Sequence, residues 1–347
     1  MMGVRKSRAC VFAALVVSGL SISNLAQTNT EFQHGVAEFQ AGDYASAATS
    51  FARAESLSPT TTEALLFEGK CLIHLDNFAG AEKALRAYIV AHDKSADALY
   101  LLGFVLHRLN RPAESLTAYT QAAALVQPTG DDLKIVGLDY VLLDDYPDAI
   151  KWLEKAVEFD PKNADAWYYL GRAYYTKGRL AEARTSFNKV LNLEPHDVRA
   201  ENNLGLILET EGKPTEAIEA YRRSIKWQGQ SLRPSEQPYV NLGNLLMEQG
   251  QTKEALEPLQ KAVEVAPNNG YCRLKLGVYY RKIGQLERAQ QELEKATELD
   301  PNNAAAHYQL GRLYKETGAV DRAQTEFNRA AELETRAAGS KPLPSER

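Results

Sequence analysis

From residue 28 onward the chain sets apolar side chains three and four residues apart, in short stretches closed by polar turns. Within 164–197 one stripe holds Trp167, Leu170, Gly171 and Tyr174, and a second holds Ala183, Phe187 and Val190. Residues so spaced share one face of a helix. The pattern therefore predicts two amphipathic helices joined by a tight turn. Such a hairpin cannot bury both of its faces alone, so it must pack on others like it.

Laid on itself at a shift of 34 residues, the chain brings Gly35, Gly69, Gly103, Gly137, Gly171 and Gly205 into one register, continued after four extra residues by Gly243, Gly277 and Gly311. With this glycine as position 8, position 20 is Ala47, Ala81, Ser115, Ala149, Ala183, Ala217, Ala255, Ala289 and Ala323. Position 24 is always large and apolar or aromatic: Phe51, Leu85, Tyr119, Leu153, Phe187, Tyr221, Leu259, Leu293 and Phe327. Position 32 is proline at Pro59, Pro161, Pro195, Pro267 and Pro301, twice within Asp-Pro-x-Asn (Asp160 to Asn163, Asp300 to Asn303). Small residues at 8 and 20 mark a close helix crossing, the side chain at 24 is expected to fill space between neighbouring hairpins, and the proline ends the second helix and starts the next unit.

These residues resemble the tetratricopeptide repeat family, whose 34-residue signature runs W-x2-L-G-x2-Y, A-x3-F, P. Trp167, Leu170, Gly171, Tyr174, Ala183, Phe187 and Pro195 match it in full. The resemblance covers residues 28–337 as nine units, 28–61, 62–95, 96–129, 130–163, 164–197, 198–231, 236–269, 270–303 and 304–337. It implies an all-α fold, a right-handed superhelix (solenoid) of stacked hairpins. The first unit departs from the pattern, with His34 at position 7 and Glu38 at 11; Gln228 to Pro238 is a polar insertion; Pro258 falls inside a second helix, where it should bend the helix; and 338–347 reads as a disordered tail.

In the family, positions 2, 5, 6, 9, 12 and 13 line a concave groove that receives a partner's peptide or helix. Carried over by register, the early groove holds Phe32, Phe39, Tyr100, Phe104, Tyr168, Arg172 and Tyr175. The later groove holds Asn202, Asn203, Asn241 and Asn244, then a basic patch of Lys275, Arg281, Lys282, Arg312 and Lys315. An apolar stripe through five units points to a partner segment or to self-association. The asparagines suit an extended peptide's backbone, and the cations suit carboxylates. The five-residue Lys/Asn clamp of chaperone-binding members is not reproduced: Lys134 at position 5 is paired with Leu138 at 9, and Asn244 at 9 with Val240 at 5.

Residues 1–26 are of another kind. Arg5, Lys6 and Arg8 precede the apolar run Ala9 to Leu20 and a small, polar end, the form of a secretory signal peptide cleaved after Ala26. About a dozen apolar residues fall short of the roughly 20 that span a bilayer, so no stable membrane insertion is expected after cleavage. Cleavage takes three cations and no acid, moving the formal charge from -5 to -8, and such a balance disfavours nucleic acid. Cys71 and Cys272 remain, too far apart along a solenoid to bridge, and are expected to pack as small apolar groups. The nucleophile, zinc, dinucleotide and phosphate-loop motifs are all missing, and no catalytic residue, metal site or cofactor is expected. The expected product is a non-enzymatic, exported scaffold, periplasmic or secreted from a bacterial host, that binds protein or peptide partners. The alternative is a structural part of a cell-envelope assembly, for polysaccharide export or outer-membrane biogenesis.

Overall fold

The computed structural model describes residues 26–58, 62–230 and 232–339. The expected leader (residues 1–25 of it), Pro59 and residues 340–347 of the tail lie outside them. Every regular element among the described residues is helical. In order these are α1 (26–40), α2 (Tyr44–Leu57), α3 (Glu63–His74), α4 (Phe78–Ala91), α5 (Ala96–Arg108), α6 (Pro112–Ala123), α7 (Gly130–Leu142), α8 (Tyr146–Phe159) and α9 (Ala164–Thr176). After Gly178 come α10 (Leu180–Leu193), α11 (Val198–Thr210), α12 (Pro214–Trp227), a 3-10 turn (Gln228–Gln230), α13 (Gln237–Glu248), α14 (Thr252–Val265), α15 (Gly270–Lys282), α16 (Leu286–Leu299), α17 (Ala304–Glu316) and α18 (Val320–Gly339). The last helix runs two residues into the stretch expected to be a disordered tail.

The chain forms two units, up to Gly178 and from Arg179. In the first, successive helices pack as hairpins and α3, α5, α7 and α9 also touch in series. In the second, α11, α13, α15 and α17 do the same. The all-α stacking expected from the repeat is thus observed within each unit.

The register residues hold these stacks together. A Cβ added at Gly35, Gly69, Gly103 or Gly137, or at Gly205, Gly243, Gly277 or Gly311, would meet the position-24 side chain of the same hairpin within 3.0 Å. The large side chain at 24 therefore lies first on its own hairpin's glycine, not only between hairpins as the sequence implied. Phe51 does both, since it also stacks on Phe67 of the following hairpin at 5.2 Å. Ala47, Ala81, Ala149, Ala183, Ala217, Ala255 and Ala289 have no exposed surface, so these crossings have no room for a larger residue.

The turn inside each hairpin shows a second rule. Gly42, Asp76, Asn110, Asp144 and Gly178 in the first unit, and Gly212, Gly250, Gly284 and Gly318 in the second, all occupy position 15 with positive φ. Asp144 N–H donates to Val141 O (3.1 Å) and Asp145 N–H to Tyr140 O (2.9 Å), so the left-handed residue closes the orphan carbonyls of α7. Between hairpins, the Asn of Asp-Pro-x-Asn caps the next helix: Asn163 Oδ1 accepts from Ala166 N–H (2.9 Å) and Asn303 Oδ1 from Ala306 N–H (3.1 Å). The proline does not itself start the helix. In the insertion, Gln228 accepts from Ser235 N–H and donates to Ser235 O (2.8 and 2.9 Å), which pins the loop. α14 continues through the buried Pro258.

Candidate binding face

First helices carry the expected site residues, and packing decides which of them a partner can reach. Phe32 meets Phe51 and Phe67 edge-on (5.5 and 5.8 Å), and Phe39 meets Tyr44 and Phe67 (5.4 and 5.8 Å). Both are half-buried in the aromatic core of the first hairpins. Tyr168 is buried, while Tyr175 is half-buried and Arg172 exposed. The stripe expected to run open through five hairpins is therefore interrupted, because its first members and Tyr168 are spent on packing.

Two cavities stay open on α5, α7 and their neighbours in the first unit. One, of about 550 Å³, is walled by Tyr100, Phe104 and Tyr119 and edged by Asp97, Asp131 and Asp132. Tyr100 Oη donates to Val126 O (2.6 Å), which fixes its ring against Tyr119. Asp97 pairs with Lys70 and Asp131 with Lys134, each at 2.7 Å. The hydrogen bond from Lys134 holds the Asp131 carboxyl below its ordinary pKa. Burial pushes the Tyr100 and Tyr119 phenols up, so both stay neutral donors at physiological pH.

The other cavity, of about 280 Å³, is walled by Leu138, Val141, Tyr146 and Tyr169 and bordered by His107 and Arg172. Behind it lies a residue the site reading missed. Asp139 has no exposed surface, its Oδ1 is 2.8 Å from His107 Nδ1, and its Oδ2 is buried without a partner. The signal was present in the register. Position 10 is apolar in every other hairpin (Ala37, Cys71, Val105, Ala173, Ile207, Leu245, Tyr279, Leu313), and only residue 139 is charged there.

In the second unit three of the four asparagines bond within the protein. Asn241 Nδ2 donates to Asn202 Oδ1 (2.9 Å) and Asn203 Nδ2 to Arg199 O (2.8 Å); Asn202 is buried and Asn244 half-buried. A peptide backbone would have to displace those bonds. The basic patch divides in the same way. Arg281 is bound to Glu316 (2.6 Å) and Gln309 (3.2 Å), Lys282 donates to Met247 O (2.7 Å), and Lys275 lies 5.0 Å from the Tyr271 ring. Arg312 and Lys315 are exposed and line a cavity of about 570 Å³ with Tyr308, Glu316 and Phe327.

His74 stacks on Tyr44 at 4.0 Å, and no group of three potential metal ligands occurs among the described residues. Among the same residues, no helix is long and apolar enough to cross a membrane. Fold and face together define a helical-repeat module with hollows along its first helices.

Models of the tetratricopeptide repeat match residues 38–103, 164–197, 196–268, 259–291 and 304–335, and a TPR repeat model matches 137–178 and 279–318. The chain belongs to the tetratricopeptide repeat family. It is 25% identical over 225 residues to BBSome complex member BBS4 of Bos taurus, a match spanning 62% of this chain and 42% of that protein. It is 32% identical over 90 residues to Superkiller complex protein 3 of Homo sapiens, spanning 26% of this chain and 6% of that one. The chain thus spans less than half the length of either relative. A tetratricopeptide repeat protein from Parabacteroides merdae shares the fold with a TM-score of 0.61 at 19% identity, covering 73% of this chain and 98% of that one.

Proposed function

We propose that this chain is a non-enzymatic scaffold, exported from its host to the periplasm or the medium, whose nine-repeat array holds a segment of a partner protein against its first helices. One observation carries the reading: two hollows of the first unit open on α5 and α7, where Tyr100, Phe104 and His107 border them, with Arg172 bordering one of them from α9. Aromatic walls with a few placed polar groups are what a docking site for a peptide consists of. Membership of a family whose relatives here are named as members of complexes supports a protein-binding role, and the basic, apolar, then small-residue order of 1–26 supports export.

Affinity capture from the native host tests binding. Tyr100→Ser with Arg172→Glu should lose the partners that the parent chain captures, while Lys151→Glu with Lys155→Glu, on α8 beside Trp152, should keep them. Equal capture by both variants would refute a first-helix site. For export, the mass of the extracytoplasmic chain should correspond to a start at Gln27, and a full-length chain retained in the cytoplasm would refute it.

A further inference from the structure

The smaller cavity of the first unit has a built polarity. Asp139 lies wholly inside the protein and grips His107 through Nδ1 at 2.8 Å, so the imidazole is held in one orientation with Nε2 as its remaining polar atom. His107 borders the cavity from α5 and the exposed Arg172 borders it from α9. Between them Leu138, Val141 and Tyr169 form an apolar wall. Among the residues lining the cavity Arg172 is the one permanently charged group, and none is a carboxylate. The cavity is then complementary to a single carboxylate carried on an apolar stem.

A second hollow lies along the same helix. The same stripe of α5 runs back from His107 through Phe104 and Tyr100 to Asp97, into the larger hollow, where Asp97, Asp131 and Asp132 outnumber Lys134 and Lys70. A segment that carries the carboxylate on an internal side chain continues from one cavity over the other. Ten residues of helix separate Asp97 from His107, about 15 Å at 1.5 Å per residue, which an extended strand covers in about four or five residues.

We propose, resting on the reading of this face as a partner-binding surface, that the first unit recognises an extended acidic–apolar segment of a partner protein. A glutamate or aspartate of that segment sits between His107 and Arg172 with its apolar neighbour on Leu138 and Tyr169. A lysine or arginine four or five residues away enters the aromatic, acid-edged hollow at Tyr100. Cation–π contact with Tyr100 and Phe104 and the surplus carboxylate there hold the basic residue. The segment's charges thus set its register, and the apolar walls supply most of the contact.

The test uses fluorescein-labelled octapeptides, acetylated and amidated so that no terminal carboxylate is present, on the full chain by fluorescence anisotropy. One peptide has glutamate second, leucine third and lysine seventh in a glycine–serine background, and its partner has the reverse order. One of the two should bind. Changing its glutamate to glutamine, or Arg172→Ala in the protein, should weaken binding by about tenfold, the scale of losing one charged hydrogen bond. Moving the lysine next to the leucine should weaken it as well. Arg172 is exposed, so its variant keeps the fold, and an unchanged melting temperature confirms this; His107→Gln combined with Asp139→Asn checks the other edge of the cavity. Failure of both peptides, or equal binding by the glutamine peptide, overturns the proposal. If affinity capture still depends on Tyr100 and Arg172 in that case, the scaffold reading survives without it; if capture is also indifferent to the face, both fall.

Discussion

Gly137 shows how little freedom a single register position has. A Cβ there would stand 2.6 Å from Leu153 Cγ and 3.3 Å from Ala149 O, so the added methyl meets both the side chain at 24 and the backbone at 20. Leu153 is fully buried and cannot swing aside. Gly137→Ala should therefore destabilise the chain by about 1–3 kcal/mol through overpacking, read as a lower urea midpoint at unchanged slope. An unchanged midpoint would show that the crossing relaxes. Small residues at 8 and 20 were legible in the sequence because spacing alone reveals them: only tiny side chains recur where helices touch. The candidate site was less legible. Tyr168 and Tyr175 lie about two helical turns apart on the same helix, yet one is buried and the other half-buried, because burial depends on how adjacent first helices close. Asn202 and Asn241 looked like peptide ligands until their bond to each other, 39 residues apart in sequence, appeared. Asp139 was visible as a charge at an apolar position, but its partner, His107, belongs to the preceding hairpin.

Helix ends obey local chemistry. Position 15 takes a left-handed residue in every hairpin, and Asp144 supplies it with φ of 58° where six others use glycine. A Cβ in that region is strained, less for Asp than for most residues but more than for glycine. Asp144→Gly should raise stability by about 0.5 kcal/mol, since relief of that strain slightly exceeds the added freedom of the unfolded chain. A loss of stability would mean the Asp144 side chain does more at the turn than fill it. Asn163 works at the other kind of junction. Its Oδ1 caps α9 and its Nδ2 donates to Asp131 Oδ1 at 2.9 Å, so one side chain both starts a helix and ties it to the preceding first helix. Asn163→Ala should cost about 1 kcal/mol for the cap alone, and Asn163→Asp should recover the cap without the tie. Thermal melts of the two variants separate these contributions. Helix existence was evident from periodicity, whereas the ends depend on which side chain reaches which amide: the Asp-Pro-x-Asn junction marks where one unit stops and the next starts, but not that Asn163 and Asn303 are the side chains that cap the next helix.

Stability in a repeat chain is a sum of local terms, each hairpin coupled chiefly to its neighbours. The molecule carries its own reporters of this. Cys71 lies in the first unit and Cys272 in the second, both buried with no exposed surface. Burial pushes each thiol up to about 11, so the folded chain keeps them protonated and unreactive at pH 8. The sign of the linkage follows: the unfolded chain loses these protons at lower pH than the folded one, so stability falls as pH rises from the ordinary thiol range toward about 11. At pH 8, alkylation therefore requires opening of the hairpin that holds the thiol. Gly69 adjoins Leu85 in the hairpin of Cys71, where an added Cβ would come within 2.9 Å of Leu85 Cγ. In a urea series with short alkylation pulses and peptide mapping, Gly69→Ala should lower the midpoint for Cys71 and shift that for Cys272 less. Nearest-neighbour coupling decays along the stack, so the ratio of the two shifts measures how far one hairpin's strain is felt. Equal shifts at both thiols would make the chain one cooperative block, in which case a partner bound on α5 and α7 would stabilise Cys272 as strongly as Cys71.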